Sequence, residues 1–236
     1  MRISEIITEP SKIYTDSTFK LKIKLDNVAA GYTLKVTYAS GETETFIISR
    51  KNIEDENADL LKEVINKIEN GSKIEIYNYY DNLRNISSLF KSNNNFIDVS
   101  LKNCMTNNVT DMSSAFNGCS NLTNVQFQDT SNVTNFKSIF ANCKKLKNIQ
   151  NLNTQKATNL IASFASCELL EKLNIDCSNV LTMYITFFGC KNLIELNLNN
   201  TSNVTNFFMS FASKGKRHKT DKIFIKYKLK NGKIPL

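Results

Sequence analysis

Asn108-Val109-Thr110-Asp111-Met112-Ser113-Ser114-Ala115-Phe116-Asn117-Gly118-Cys119-Ser120-Asn121-Leu122 is one copy of a phrase that the chain repeats six times. Its aromatic anchor falls at Phe90, Phe116, Phe140, Phe164, Phe187 and Phe211, at spacings of 26, 24, 24, 23 and 24 residues. A fixed period of this length marks a solenoid. Seven and four residues before each anchor stand Leu83/Ile86, Val109/Met112, Val133/Phe136, Ala157/Leu160, Val180/Met183 and Val204/Phe207, all apolar. That spacing is one face of a two-turn helix, so it predicts a short helix in every unit. Six, nine and eleven residues after the anchor come Phe96/Val99/Leu101, Leu122/Val125/Phe127, Leu170/Leu173/Ile175 and Leu193/Leu196/Leu198, whose later positions suit a short strand. Each unit reads as a helix followed by a strand, and stacking the units buries both.

One copy departs from the pattern. After Leu146 and Ile149, Asn151 stands where the last apolar residue belongs and Leu152 comes one place late, which predicts a local bulge or a one-residue slip. Cysteine follows the anchor by three in the inner copies, at Cys119, Cys143, Cys167 and Cys190, while the outer copies carry Asn93 and Lys214. Thr130-Ser131-Asn132, Cys177-Ser178-Asn179 and Thr201-Ser202-Asn203 precede the expected helices, where their side-chain oxygens would cap helix N-termini.

The phrase around Phe116 resembles the BspA-type leucine-rich repeats of bacterial surface proteins and some phage proteins, and the likeness extends over about 83–211. The resemblance implies a leucine-rich-repeat architecture and a habit of binding, and it brings no catalytic motif. With it, the expected fold class is α+β: a small β-rich N-terminal domain, then a leucine-rich-repeat solenoid of six short helix-strand units, then a C-terminal capping strand. Residues 1–80 form the first part, 81–213 the solenoid and 214–236 the cap.

At 236 residues and 41% apolar content the chain has enough material for a packed core. No apolar run approaches the roughly 18 residues of a membrane span, so membrane insertion is not expected. Met1 to Pro10 carries acidic residues where a signal peptide has its apolar core, which reads as synthesis and folding in the cytoplasm. The cysteine ladder faces the expected core, so reduced, packed thiols are expected rather than disulfides. With no C-x-x-C pair and a single histidine, His218, the sequence offers no zinc site and no metal or cofactor.

The net charge of +8 is local. Residues 214–236 hold nine of the 30 basic residues and one of the 22 acidic ones, which leaves 21 of each sign elsewhere. Lys222, Phe224, Lys226, Lys228 and Lys230 alternate with Ile223, Ile225, Tyr227 and Leu229, a strand with one apolar and one mainly lysine face. Lysine on a terminal strand blocks edge-to-edge association, and the four lysines form a candidate electrostatic patch for an acidic partner. Nucleic acid is a third-rank partner on these grounds.

The amino-terminal third lies outside the repeat. Phe19–Leu25, Thr33–Tyr38 and Thr43–Ser49 read as three strands, with Ser40-Gly41-Glu42 turning the last pair. Asn52 is a candidate N-cap for a helix carrying Leu60, Leu61, Val64, Ile65 and Ile68, with Glu54, Asp55 and Glu56 in its first turn and Asn70-Gly71 at its end. Ser72–Tyr80 then resumes a strand that leads into the first repeat. The module abuts the solenoid without a flexible linker and would cap its end. Pro10-Ser11-Lys12-Ile13-Tyr14 and the lysine-alternating strand after it resemble attachment modules of phage structural proteins.

None of the phosphate-binding, dinucleotide-binding, metalloprotease or hydrolase-elbow motifs occurs, and the reading is not an enzyme. The repeat offers a surface instead. Seven to ten residues after each anchor the outward positions place Asp98, Ser100, Asn124, Gln126, Asn148, Gln150, Lys172, Asn174, Glu195 and Asn197 on one candidate binding face, suited to a protein or a repetitive glycan. The expected function is non-catalytic: a structural and binding protein on the surface of an assembly, a bacteriophage or phage-tail-like virion, as a capsid decoration, baseplate or host-contact protein. Its N-terminal module would join other virion or surface proteins, with homo-oligomers compatible. The alternative is a bacterial cell-surface adhesin, and behind it a nucleic-acid binder using the basic tail.

Overall fold

The computed structural model describes residues 31–49, 58–69, 71–78 and 83–211, together with the backbone of short strands at 2–3, 25–26 and 224–226. In chain order the strands are β1 (Arg2–Ile3), β2 (Leu25–Asp26), β3 (Gly31–Tyr38), β4 (Thr43–Ser49), β5 (Gly71–Asn78), β6 (Asp98–Cys104), β7 (Asn124–Phe127), β8 (Asn148–Gln150), β9 (Lys172–Asp176), β10 (Glu195–Asn199) and β11 (Phe224–Lys226). One α-helix, α1 (Asp59–Lys67), and a three-residue 3-10 turn at Thr201–Asn203 are the helical elements among the described residues. The molecule is therefore a β-rich solenoid, and the expected helix in each repeat is absent.

The reason lies in the backbone of the segment before each anchor. Two residues before the anchor, Ser88, Ser114, Ser138, Ala162, Ile185 and Met209 all take positive φ, between 49 and 57°. Two residues after it Ser92, Gly118, Asn142, Ser166 and Gly189 do so again, at 60 to 80°. A left-handed residue every fourth position cannot belong to a right-handed helix. A two-turn helix would in any case leave its first four N–H and last four carbonyl groups without internal partners. Here those groups find the neighbouring rung. Ile86, Ser88, Phe90 and Ser92 donate to the carbonyls of Asp111, Ser113, Ala115 and Asn117 at 2.7–3.0 Å. The residues between them turn back within their own rung, as Leu89 does to Ile86 and Lys91 to Ser88, both at 3.2 Å. The i, i+3, i+7 apolar spacing thus arises from a flat, tightly turned segment whose alternate donors point along the solenoid.

Side chains reinforce the same alternation. Asn85, Asp111, Asn135, Asn159, Thr182 and Asn206 form a column of parallel bridges from rung to rung. Five of the six accept a hydrogen bond from the N–H two residues on, for example Ser113 to Asp111 Oδ1 at 2.7 Å, the short-range turn that Asn and Asp favour. The Thr-Ser-Asn phrases cap no helix. Thr130, like Thr106 and Thr154 at the equivalent place in their rungs, instead donates to a carbonyl one rung on (Asn153, with Asp129 and Asp176 for the other two) at 2.6–2.9 Å, and Asn132, Asn179 and Asn203 reach one rung back.

The core is a column. Consecutive anchor rings from Phe90 to Phe211 stack with centroids 5.1 to 5.9 Å apart and planes within 25° of one another. Phe96 and Phe127 meet it edge-on at 6.1 and 6.2 Å, the geometry ring quadrupoles prefer. All six cysteines are buried and unbridged. Cys119, Cys143, Cys167 and Cys190 donate their thiols to the carbonyls of Phe90, Phe116, Phe140 and Phe164, each one rung back, at 2.9–3.1 Å.

The N-terminal part joins this stack directly. The hairpin of β3 and β4 closes through Gly41 at φ 88°, with Tyr38 N–H bonded to Glu42 at 2.9 Å. Antiparallel to β3 runs β5, which pairs in parallel with β6, giving one six-stranded sheet in the order β4-β3-β5-β6-β7-β8. The expected division near residue 80 thus falls within a continuous sheet. The described helix begins at Asp59 after Ala58, which has positive φ and no side-chain cap. Asn95 Nδ2 ties its end to the first rung through the Ile68 carbonyl at 2.8 Å. Gly71 is required there: a Cβ would meet Phe96 Cε1 at 2.5 Å. Asn52, Glu54 to Glu56, Phe19 to Lys24, the opening Pro10 to Tyr14 and His218 lie outside the described residues.

The irregular copy has a structural outcome. Asn151 takes φ 60°, which ends β8 at Gln150 and turns Leu152 back against the core, and its Nδ2 donates to the Phe127 carbonyl at 3.0 Å. With β8 cut short, the sheet stops: among the described residues β9 pairs with β10, and β10 with β11, in a second, three-stranded parallel sheet. The interruption is framed by Leu169 N–H to Lys144 at 3.2 Å and by the Thr154 hydroxyl to Asp176 at 2.9 Å. The bridge column and the ring column run past it unbroken. At the far end β11 pairs its Phe224 with Glu195, thirteen residues after Phe211 where the earlier units take eight.

Candidate functional site

Strands paired in register, antiparallel from β4 to β5 and parallel from β5 to β8, place outward residues side by side, and here they form a polar face. Across the six-stranded sheet one row reads Thr45, Lys35, Glu75, Ser100, Gln126 and Gln150, and the next reads Thr37, Lys73, Asp98, Asn124 and Asn148. Sequence reasoning found the repeat half of these rows and missed Lys35, Lys73 and Glu75. The signal was present in the alternation of β3 and β5, whose outward residues continue the same columns once β5 is known to pair with β6.

Within the row the amides are ordered by one another. Asn148 Nδ2 donates to Asn124 Oδ1 at 2.7 Å, and Asn124 Nδ2 to Thr123 Oγ1 at 2.9 Å. Gln150 and Asn148 are exposed, while Gln126 and Asn124 are half-buried. Ser100 departs from expectation: it is buried, and its Oγ has no hydrogen-bond partner among the described residues. It stands in register between Glu75 and Gln126 and, being buried, presents no hydroxyl to a ligand.

The charged end of the face is a linked group. Lys73 Nζ lies 3.1 Å from a Glu75 oxygen. Burial by itself would raise the Glu75 carboxyl, but the bond to Lys73 and the nearby Lys35 and Lys102 hold it below its ordinary value. The same bond raises Lys73. Half-buried Asp98 is pushed up by loss of solvent, which Lys73 only partly offsets. Carboxyls driven apart in this way can divide acid and base roles. Glu75, however, is committed to Lys73, and the Ser100 hydroxyl beside it is buried.

The remaining expected residues belong to the second sheet. Lys172, Asn174, Glu195 and Asn197 sit on β9 and β10, where Lys172 Nζ meets Glu195 at 3.0 Å and Asn197 Nδ2 donates to Asn174 Oδ1 at 2.6 Å. The single ladder read from the sequence is therefore two ladders, separated where β8 and β9 fail to pair. Of the lysine patch, Lys226 has its backbone in β11, and Lys222, Lys228 and Lys230 lie outside the described residues. Among the described residues no three His, Cys, Asp or Glu gather as metal ligands, and no helix is long and apolar enough to cross a membrane.

Residues 60–174, just under half of the chain, match the family described as Mycoplasma protein of unknown function, DUF285. No leucine-rich-repeat family matches, so the likeness to BspA-type repeats is overturned, and with it the likeness of the N-terminal part to phage attachment modules. The buried positions explain the misreading: any solenoid with rungs near 24 residues repeats its core at that period, whichever way its backbone turns between them. No curated protein and no solved structure matches the chain.

Proposed function

We propose that this chain is a non-catalytic binding protein, displayed on the surface of an assembly, which recognises a protein or glycan with the polar outer face of its parallel strands. One observation carries the reading: two adjacent rows of polar side chains run in register from β4 to β8, with the amides of Asn124 and Asn148 held in fixed orientation by each other. Parallel strands repeat about every 4.8 Å, so donors and acceptors are offered at a regular interval to an extended partner lying across them. A rigid scaffold lowers the ordering cost of binding.

The test is binding of the full chain to arrays of extended peptides and of oligosaccharides, compared with the double variant Gln126→Ala, Gln150→Ala. Both residues lie on the surface row and the fold should survive their loss. Binding that the double variant retains at full strength would sink the strand-face reading. Gold-labelled antibody against residues 83–211, applied to released phage-like particles and to cell envelopes, distinguishes the two settings in which such a display protein would work.

A further inference from the structure

The face opposite in character to the strand rows is the tightly turned segment before each anchor, and its chemistry changes along the solenoid. Three residues before the anchor the six rungs read Ser87, Ser113, Lys137, Ile161, Tyr184 and Phe208. Two before it, three serines and an alanine give way to Ile185 and Met209. In the last two rungs this leaves Leu181, Tyr184, Phe208 and Met209 exposed at 54, 36, 60 and 43%, with the Tyr184 and Phe208 rings stacked at 5.9 Å. Segments 157–166, 180–189 and 204–211 contain no charged residue. Contiguous exposed apolar surface of this kind marks an interaction site.

A second observation points the same way. Ile185 sits at φ 49°, a conformation that a β-branched residue adopts only under strain and that the first three rungs assign to serine. An apolar side chain is thus kept at this place against the local backbone preference. The third observation is charge. The chain leaves this face at Phe211, and Lys214 follows within about 10 Å of contour length. Lys214 opens the segment that holds nine basic residues against one acidic.

We propose that this apolar end of the turn face is a docking surface for an anionic lipid bilayer, resting in the headgroup region and assisted by the basic segment. Exposed aromatic and aliphatic side chains and a cluster of Lys and Arg in the same chain are the two signals that together give stable interfacial binding. No acidic residue stands in segments 157–166, 180–189 and 204–211 to oppose a negative surface.

The experiment is co-sedimentation of the full chain with vesicles of phosphatidylcholine alone and of phosphatidylcholine with about a third phosphatidylglycerol. Binding is expected to the anionic vesicles, weakened on raising salt from about 0.1 to 0.5 M. The double variant Leu181→Ser, Phe208→Ser should bind at least about fivefold less tightly, with its thermal transition retained. Because the chain contains no tryptophan, Phe208→Trp supplies a unique reporter whose emission should shift to shorter wavelength on those vesicles. Absence of binding overturns the proposal, as does equal binding by the serine variant or a reporter that stays in water, since charge alone would then be acting. Concentration-dependent self-association, abolished by the serine variant without vesicle binding, would assign the patch to a second copy of the chain.

Discussion

The thiol of Cys143 donates to the carbonyl of Phe116, one rung back, at 2.9 Å, and the same carbonyl also accepts the N–H of Cys119 at 3.1 Å. Cysteine at this place is both a small core residue and a cross-rung donor. Burial pushes the thiols up: Cys104, Cys177 and Cys190 each to about 12, and Cys143 and Cys167 well above their usual value. A thiol whose folded value is raised binds its proton more tightly in the folded state. Its contribution is complete below the unfolded value near 9 and is lost as pH climbs from there towards 12. Urea unfolding midpoints should therefore be level between about pH 7 and 8 and fall progressively above 9. Native protein should also resist thiol reagents at neutral pH until urea exposes the cysteines. A midpoint that rises through this range would refute the burial account.

The ring column predicts unequal costs along its length. Phe140 stacks on both Phe116 and Phe164, whereas Phe211 is only partly buried and stacks on Phe187. Phe140→Ala should cost about 3–5 kcal/mol and Phe211→Ala roughly half as much or less, read from denaturant titration. Equal costs would mean that the column does not carry the core.

Ile185→Asn exchanges a strained β-branched residue for one that tolerates positive φ, at a position that is only half-buried. Stability should rise by about 1 kcal/mol, seen as a higher melting temperature. An unchanged or lower value would show that apolar packing at this site outweighs the backbone strain.

Ser100 carries a buried hydroxyl without a hydrogen-bond partner among the described residues. Ser100→Ala removes that group and should leave the protein as stable or more so, by up to about 1–2 kcal/mol in urea. A clear loss would indicate that the hydroxyl has a bonded water or partner in solution.

How far the fold could be read in advance depended on which physical signal each residue carried. Phe116, Leu122 and Val125 announced burial, and the period, the column and the strands followed. The hairpin around Gly41 and strand β5 were equally plain, because alternation and a turn residue specify them locally. The helix reading failed at Ser88, Ser114 and Ser138, residues with no marked preference for positive φ, whose conformation is imposed by hydrogen bonds to a neighbouring rung about 24 residues away. Local patterns cannot report such partners. For the surface, Gln126 and Gln150 could be placed on one face from spacing alone. The burial of Ser100 and the separation of Lys172 and Asn174 from them depended on which strands adjoin and on the backbone angle of Asn151.

That angle has a mechanical meaning. Where Asn151 ends β8, successive rungs are joined along the bridge column and the aromatic stack but not through the middle of the strand wall. A rod stitched along one side and slit on the other is compliant in one direction only, like a book about its spine. Bending loads applied to the two ends would concentrate at this level, so the blocks to either side can change their relative pitch while each keeps its own surface intact.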